Sequence, residues 1–377
     1  MGSRDRASCA AAAALGMIVI VGCRAQPRSG AGEATPAPWA SLAAAQSLTM
    51  EANASVNEAA NAKENAAPVM APVMAPVMAP VMASVTRTRA VANAGATSPS
   101  INDVRVMSFN CRVSTLFDLH NTWGLRKGLL LDTVRTFNPD LLGTQECLAP
   151  QSDYLRDRLP GYDFVGVGRN DGKRRGEMCG VFFRADKFER LDSGHFWLSE
   201  RPGKPGSKGW GAVFPRMVTW VKLRPRDGAG ATFCWFNTHL DAFSSRARAN
   251  GAKLLRDRIA TIAGTLPVLV TGDFNADAGS EPYRTLIGSS ARAATHLTDT
   301  FRAVNATIPN GTGTGTRHGF LGGHGGPRID WILASSAFRT VDADIDHTRS
   351  GISFPSDHFP VTAVLRPKGV PTLAQGE

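Results

Sequence analysis

The 377-residue sequence predicts a domain in which two β-sheets pack face to face and helices cover their outer surfaces. Short apolar runs typical of strands recur from residue 104 onwards, whereas helical periodicity occurs in residues 125–137 and 244–263. Val268–Val270 is apolar on both faces of its strand, which indicates that other layers cover both faces. The predicted strands are residues 104–109, 141–144, 179–184, 217–223, 232–237, 268–271, 329–333 and 361–365.

Composition separates an N-terminal part that lacks core-forming residues from one folded domain. Residues 30–100 are mostly Ala, Pro, Ser, Asn, Val and Met, with a single Trp and no Phe or Tyr. The tetrapeptide Ala-Pro-Val-Met repeats through residues 67–82, and a Pro at every fourth position excludes a helix there. We therefore predict a disordered linker over residues 24–101, one domain over residues 102–367, and a tail over residues 368–377.

The first 23 residues have the layout of a signal peptide. Arg4 and Arg6 precede an apolar run, residues 10–21, that is too short to span a bilayer. Gly22 and Cys23 end a tetrad similar to a bacterial lipoprotein cleavage box, in which the Cys becomes acylated. We expect an exported lipoprotein anchored to a membrane through Cys23. The alternative is an ordinary cleaved signal with an incidental Cys, which gives a periplasmic or secreted protein.

Net charge and cysteine content say less about function than the features above. The net charge of +10, from 42 Lys and Arg against 32 Asp and Glu, suits an anionic substrate. No run of basic residues is long enough to mark a nucleic-acid track. Cys111, Cys147, Cys179 and Cys234 allow one or two disulfides in an exported protein, and buried free thiols are the alternative.

Polar side chains cluster where the predicted apolar strands begin or end. Because the strands of a sandwich carry their ends to a common edge, residues far apart in sequence can converge there into one site. The strand-end residues are Asn110, Gln145, Glu146, residues 237–241 and 272–275, Asp330 and residues 356–358.

The residue types in this set suit the hydrolysis of a phosphoester with a hard divalent ion. Carboxylate and amide oxygens bind Mg²⁺ or Mn²⁺ and leave positions for water and a phosphate oxygen. His239 and His358 can move protons near neutral pH, one activating water and the other protonating the leaving oxygen. The candidate oxygen ligands are Asn110, Glu146, Asp273 and Asp357.

Six strings, in this order, resemble the endonuclease/exonuclease/phosphatase superfamily. That superfamily includes pancreatic deoxyribonuclease, apurinic endonucleases, neutral sphingomyelinases, inositol-polyphosphate 5-phosphatases and deadenylases. The strings are MSFNCR (107–112), GTQE (143–146), FNTHLD (236–241), TGDFNA (271–276), RIDWIL (328–333) and SDHFPV (356–361). The resemblance covers almost all of residues 102–367 and points to an exported bacterial branch. It implies an α/β (α+β) fold, a four-layered sandwich of two packed mixed β-sheets flanked by helices.

The resemblance also implies which residues hold the metal ion and the attacking water. Glu146 corresponds to the principal metal ligand, and Asn110 and Asp357 lie close to the ion. Asp273 and Asn275 correspond to the residues that orient the water and the phosphate.

Proton transfer is implied by the same resemblance. His358, held by Asp330, corresponds to a general base or a phosphate clamp, and His239 faces the leaving group or the scissile phosphate. Glu177 matches a Glu that pairs with the latter His in pancreatic deoxyribonuclease. We therefore expect Glu177 within hydrogen-bonding distance of His239, and Asp330 within that distance of His358.

Three residues are candidates for contact with the substrate phosphate. Arg216 resembles a phosphate-contacting Arg of the family, and Asn110 lies at the end of the first predicted strand. His318 belongs to the Gly-rich stretch that precedes Asp330, which reads first as a flexible loop.

Together these features predict a monomeric Mg²⁺- or Mn²⁺-dependent phosphoesterase, most simply a phosphodiesterase of the nuclease type. A phospholipid or inositol-phosphate phosphatase, or a sphingomyelinase-like phosphodiesterase, is the alternative within enzymes. A catalytically silent surface-binding module is the alternative outside them. Apolar loops around Phe196, Trp197 and Trp210 would favour a lipid surface.

Overall fold

The computed structural model describes residues 85–86, 100, 102–228, 230–288, 296–309 and 313–368. The predicted signal peptide with Cys23 lies outside these residues, as do the predicted tail beyond Lys368 and the linker apart from residues 85, 86 and 100. No helix among the described residues is long and apolar enough to cross a membrane.

Fourteen strands and five α-helices form the described structure. The strands are β1 (Val85–Thr86), β2 (Val104–Asn110), β3 (Leu141–Gln145), β4 (Tyr162–Val165), β5 (Val181–Arg184), β6 (Phe188–Trp197), β7 (Met217–Pro225), β8 (Phe233–His239), β9 (Val268–Asp273), β10 (Leu297–Asp299), β11 (Asp330–Ser335), β12 (Phe338–Ile345), β13 (Arg349–Ser350) and β14 (Val361–Pro367). The helices are α1 (Trp123–Phe137), α2 (Ala149–Arg158), α3 (Ser245–Ala263), α4 (Glu281–Ile287) and α5 (Thr300–Val304), and a 3₁₀ segment covers Leu116–Asn121.

Twelve of the strands form two six-stranded sheets. The first has the spatial order β12-β14-β2-β3-β5-β4, and the second has the order β10-β11-β9-β8-β7-β6. β2 pairs parallel with β3, and β8 pairs parallel with β9, while the other pairings within the two sheets are antiparallel. Both sheets are therefore mixed and are flanked by helices, which confirms the predicted sandwich.

All eight predicted strands are present, with ends displaced by up to two residues. Sequence patterns missed β4, β6, β10 and β12, and these four are the edge strands of the two sheets. An edge strand buries only part of its surface, and β6 has exposed or half-exposed residues from Glu189 to His195. Apolar periodicity is therefore weak in edge strands and strong in the central ones.

Apolar side chains fill the space between the sheets and beneath the helices. Central strands of both sheets supply the inner cluster, in which Leu141 and Trp235 are fully buried. α1 and α2 pack on the first sheet through residues such as Leu130 and Leu155, and α3 packs on the second through Leu255. Burial at about 25 cal/mol per Å² of apolar surface makes these layers the main source of stability.

A buried amide holds the two sheets together near one end. Asn237 of β8 donates through Nδ2 to the carbonyls of Thr144 and Gly180, both at 2.9 Å, across the sheet interface. Its Oδ1 accepts from Gln145 Nε2 at 2.7 Å and from Thr271 Oγ1 at 3.0 Å. Every hydrogen-bonding atom of this amide is therefore used, as a fully buried polar group requires.

Gly143 lets the sheets approach at this point. A Cβ at Gly143 would lie 2.5 Å from Thr271 Oγ1 and 2.8 Å from Asn237 Oδ1. We expect Gly143→Ala to lower the free energy of unfolding by about 1–3 kcal/mol, since a methyl group overpacks this contact. Denaturant unfolding measures the change. Gly128→Ala is the control, because nothing lies within 4 Å of that position in α1; equal effects at both positions would contradict the argument.

One expectation about side-chain environment is corrected, and one open alternative is decided. Phe196 and Trp197 are buried, with 5% and 4% of their surface exposed, so they face the core and not a lipid surface. They lie on β6, where the strand turns inward at its last residues. Cys111, Cys147, Cys179 and Cys234 are free and buried, so the thiol alternative describes them.

Candidate active site

The strand ends that carry polar residues do meet at one edge of the sandwich. β2 and β3 are parallel neighbours, so Asn110 pairs with Gln145 and Glu146 follows directly. β8 and β9 are also parallel, which places His239 beside Asp273. β11 runs antiparallel to β9, so it begins where β9 ends and pairs Asp330 with Asp273.

Asn110 joins the carboxylates of the two sheets. Its Nδ2 donates to Glu146 Oε1 at 3.0 Å and to Asp273 Oδ2 at 2.9 Å. The other oxygen of Glu146 accepts from the backbone N–H of Val113 at 3.1 Å. Glu146 has a left-handed backbone with φ of 62°, which turns its side chain into the site immediately after the strand. The amide therefore fixes two carboxylates, although it was expected to be a metal ligand itself.

The two carboxylates differ in the direction of their pKa shifts. Burial alone would raise the pKa of Glu146, but nearby His239, Arg112 and His358 lower it well below its usual range. Burial and the neighbouring Asp330 raise the pKa of Asp273 to about 7. The surroundings of Glu146 therefore favour its charged form, whereas at Asp273 burial and Asp330 outweigh the opposite effects of His358 and the Asn275 N–H.

His358 is held by Asp330 as expected. The distance from His358 Nδ1 to Asp330 Oδ2 is 2.9 Å, and Asp273 Oδ2 lies 3.9 Å from the same nitrogen. Burial opposes the charged ring, but Asp330, Asp273 and Asp357 together raise the pKa of His358 to about 10. The interaction with Asp330 orients the ring and leaves Nε2 as the nitrogen that can meet a substrate.

His239 has amide and carboxylate neighbours. Its Nε2 lies 2.9 Å from Asn275 Nδ2 and 3.4 Å from Asp273 Oδ2. Asn275 also donates to the carbonyl of Leu240 at 3.1 Å, and its left-handed φ of 46° is stabilised by its N–H bonding Asp273 Oδ1. Burial and the positive charge of Arg216 push the pKa of His239 well below its usual range, and Glu146 opposes that shift.

Glu177 does not contact His239, which corrects the expected pairing. Its Oε2 instead binds Arg169 Nη1 at 2.7 Å, and both side chains are buried. Glu177 faces a guanidinium because residues 166–178 fold back in the loop between β4 and β5 and bring Arg169 to it. Glu177 therefore acts by holding Arg169 in position. Nothing in the sequence distinguished Arg169 from other arginines in loops.

Arg216 lies on the same side of the site as this pair. Its Nε is 3.7 Å from Asp241 Oδ2, and Nε and Nη1 have no hydrogen-bond partner among the described residues. Asp241 Oδ2 and Arg169 Nε are likewise buried without a partner in that part of the chain. Buried polar groups normally find partners. Arg169 and Arg216 therefore form a guanidinium pair that is electrostatically coupled to His239, with three buried donor nitrogens that have no partner in the part of the chain that the structure describes.

Two groups of side chains have the geometry to bind a metal ion. Glu146, His239 and Asp273 form the first, and Asp273, Asp330 and His358 the second, with ligand atoms within 4.8 Å of one another in each. Asp330 Oδ1 is buried without a hydrogen-bond partner among the described residues. Two carboxylates with a buried unpaired oxygen beside them fit a hard divalent ion of the Mg²⁺ class.

Asp357 lies outside both groups, although the sequence placed it among the metal ligands. Its Oδ2 is 3.8 Å from Arg112 Nη1, and Arg112 also forms a bidentate pair with Asp118 of the 3₁₀ segment. Burial raises the pKa of Asp357, with Glu146 adding to the shift. Arg112 is the last residue of the MSFNCR string but had no predicted role, since its partner Asp118 lies in the segment that follows the string.

His318 is near the site but stacked on aromatic rings. Its ring centroid lies 4.0 Å from that of Phe359 and 4.7 Å from that of Phe354. The backbone N–H of His318 donates to the Asp357 carbonyl at 2.9 Å, which fixes the Gly-rich loop against the site. Burial and repulsion from His358 lower the pKa of His318 to about 3, so it is neutral. Its Nε2 is buried without a partner among the described residues.

Comparison with known proteins agrees with this geometry. Residues 107–358 match the family described as Endonuclease/Exonuclease/phosphatase family, a range that includes every predicted site residue. The chain belongs to this family.

Relatives within the family include solved bacterial structures of nearly the same domain. A family member from Bacteroides vulgatus is 35% identical with a TM-score of 0.64, covering 71% of this chain and 99% of that one. The mannosyl-6-phosphatase of Bacteroides thetaiotaomicron is 32% identical with a TM-score of 0.62, covering 70% of this chain and 99% of that one. Nocturnin from Xenopus laevis is 28% identical over 45% of this chain and only 44% of its own length.

Family members are phosphoesterases that generally depend on a divalent metal ion. This endonuclease/exonuclease/phosphatase domain is accordingly a hydrolase of phosphoester bonds. Its clustered carboxylates and imidazoles provide a place for the ion.

Proposed function

We propose that this chain is a Mg²⁺- or Mn²⁺-dependent phosphomonoesterase that acts on a phosphorylated small molecule. The observation that carries the proposal is that Arg169 Nε and Arg216 Nε and Nη1 are buried without a hydrogen-bond partner among the described residues, and that Arg216 is close enough to His239 to lower its pKa. A phosphate monoester carries nearly two negative charges at neutral pH, more than a diester does. Two guanidiniums opposite the carboxylate cluster suit that charge. The similarity to the mannosyl-6-phosphatase supports the same choice.

The ion would be held by Glu146 and Asp273, and when bound it would neutralise charge on the phosphoryl oxygens. Asn110 keeps the two carboxylates in place by donating to both. Asp273 and Asn275, which are joined by the Asn275 N–H, would orient a water for in-line attack on the phosphorus atom.

The remaining residues bind and orient the phosphoryl group. Asp330 holds the His358 ring through Nδ1, so that Nε2 can donate to a phosphoryl oxygen. Arg169 and Arg216 offer guanidinium donors from the opposite side, and Glu177 keeps Arg169 in position. His239 and Asn275 lie beside each other at 2.9 Å, close enough to meet the leaving oxygen together.

A phosphodiesterase of the nuclease type, favoured by the sequence, uses the same carboxylates and imidazoles. The substrates of the two activities differ in negative charge, and the guanidiniums of Arg169 and Arg216 are the groups that we expect to favour the more highly charged substrate. Purified full-length protein with Mg²⁺ should therefore be assayed on mannose 6-phosphate, p-nitrophenyl phosphate and bis-p-nitrophenyl phosphate. We expect kcat/KM for p-nitrophenyl phosphate to exceed that for the diester by at least about 10-fold.

Variants at the guanidinium pair make the test specific. Arg216→Met should lower kcat/KM for the monoester by about 10²–10³-fold and that for the diester by less, since charge-assisted contacts are strengthened by monoester charge. Arg216→Lys, which keeps the charge, should recover part of the loss. Arg224→Met is the control, because that side chain is 54% exposed and pairs with Glu189 on β6. A diester preferred by the parent, or an equal loss on both substrates, would overturn the monoesterase proposal.

A further inference from the structure

Large apolar side chains are exposed in segments that adjoin the active site. Single exposed apolar residues are ordinary on a protein surface, but these come from neighbouring segments. They are Leu116 (71% exposed), Phe117 (64%), Leu119 (74%), Leu125 (73%), Leu321 (89%) and Ile352 (88%). We call these six side chains the apolar rim.

A single buried guanidinium connects the segments that carry the apolar rim. Arg126 donates to the carbonyl of Asn121 at 3.0 Å, to that of Cys111 at 2.6 Å and to that of Pro355 at 3.0 Å. Its guanidinium carbon lies 5.9 Å from the ring centroid of Phe320. The segments around residues 116–125, 320–321 and 352–355 are therefore gathered around Arg126, so the side chains of the apolar rim come from adjacent segments of the surface.

The apolar rim borders the active site. The backbone N–H of Val113, three residues before Leu116, donates to Glu146. Asp118, between Phe117 and Leu119, pairs with Arg112, which also approaches Asp357. A surface that contacts the apolar rim therefore lies next to the carboxylate cluster.

The backbone is strained where it presents these side chains. Leu119 has φ of 49° and Phe320 has φ of 64°, left-handed conformations that are unfavourable for residues with such side chains. Strained positions of this kind persist where surrounding structure over-determines them and are common at binding surfaces. Burial in the core does not explain the conformation of Leu119, which is exposed, whereas Phe320 is half-buried and packs against the inner cluster.

The N-terminal part of the chain approaches the domain beside the rim. β1 pairs antiparallel with β13, Val85 with Ser350 and Thr86 with Arg349, and Ile352 lies two residues after the end of β13. Sixty-one residues lie between Cys23, the predicted site of acylation, and Val85. Exposed Arg317 and Arg349 add positive charge to the same two loops, which suits anionic head groups.

We propose that the apolar rim docks on the surface of a phospholipid bilayer, so that the active site faces the membrane to which acylation of Cys23, as predicted from the sequence, would anchor the chain. Apolar side chains enter the boundary between head groups and acyl chains, and the basic residues beside them meet anionic lipid. The docking is a property of the rim alone and does not depend on which phosphoester the site cleaves.

Vesicle sedimentation with full-length protein carrying Cys23→Ser tests the rim without acylation. The probe is vesicles of phosphatidylethanolamine and phosphatidylglycerol. We expect the parent to bind, and the triple variant Phe117→Ser, Leu321→Ser, Ile352→Ser to bind at least about 10-fold more weakly. Leu191→Ser is the matched control, since Leu191 is 42% exposed on β6 at the end of the sheet away from the site.

Two further measurements separate the alternatives. Turnover of p-nitrophenyl phosphate should stay within about two-fold in all these variants, so a failure of docking is distinct from a failure of the proposed activity. Leu321→Trp should be quenched by spin-labelled lipid in the presence of vesicles. Absent binding by the parent, undiminished binding by the triple variant, or a parent dimer that this variant converts to monomer in light scattering would each overturn the proposal.

Discussion

Glu146→Gln is expected to lower kcat/KM by at least about 10³-fold while leaving the protein folded. Glu146 is the carboxylate whose charge the surrounding groups favour, and Asn110 and the Val113 N–H bind its two oxygens. An amide of the same size keeps these neighbours but removes the negative charge that a divalent ion requires. Turnover at saturating Mg²⁺ measures the loss of activity, and calorimetric titration with Mn²⁺ measures the loss of ion affinity.

The Gln substitution is preferred to Ala because Glu146 has φ of 62°. Gln changes neither the size nor the backbone preference of the residue appreciably, so unfolding experiments should show little change beyond the lost charge. Glu189→Gln is the matched control, since Glu189 of β6 is 41% exposed and pairs with Arg224 of β7. If Glu146→Gln keeps both parental turnover and parental ion affinity, the assignment of the metal-binding carboxylate is wrong.

Asp330→Asn and His358→Ala are expected to lower kcat/KM by about 10²–10⁴-fold each. The 2.9 Å contact between Asp330 Oδ2 and His358 Nδ1 orients the ring and supports its positive charge. Asn keeps the shape at position 330 but withdraws that support, so the ring loses both orientation and charge. The Ala substitution removes the ring that we propose to contact the phosphoryl group.

The double variant makes this prediction specific. If Asp330 acts through His358, Asp330→Asn in the His358→Ala background should cause little further loss, because residues that act as a unit are not additive. His296→Ala, at an exposed position outside the site, should keep parental activity. Full additivity of the two losses would show that Asp330 has a separate role, such as holding the metal ion with Asp273.

Sequence patterns were most informative where strands are fully buried. Every central strand was predicted, because a strand covered on both faces has a run of apolar residues that few other structures require. The edge strands β4, β6, β10 and β12 were missed, since partial exposure removes that run. α2 was missed for a related reason, as its residues APQSDYLRDR have no continuous apolar stripe.

Within the site, residues at strand ends were predictable and their partners only in part. Strand order and register carry Asn110, His239, Asp273 and Asp330 to one edge, so their convergence follows from the position of each string. The contact between Asp330 and His358 is present as predicted. Arg169, in contrast, reaches the site from a loop whose path no local pattern specifies.

The sequence by itself determined the family, the central strands and the residues that surround the carboxylate cluster, because these depend on local apolar periodicity and on strings of adjacent residues. Tertiary structure alone decided that Glu177 pairs with Arg169, that Arg112 faces Asp357, and that Phe196 and Trp197 are buried. It also placed the apolar rim around Arg126. The physical reason is that loops and edge strands take their geometry from long-range contacts, and their own sequences carry no periodic signal of those contacts.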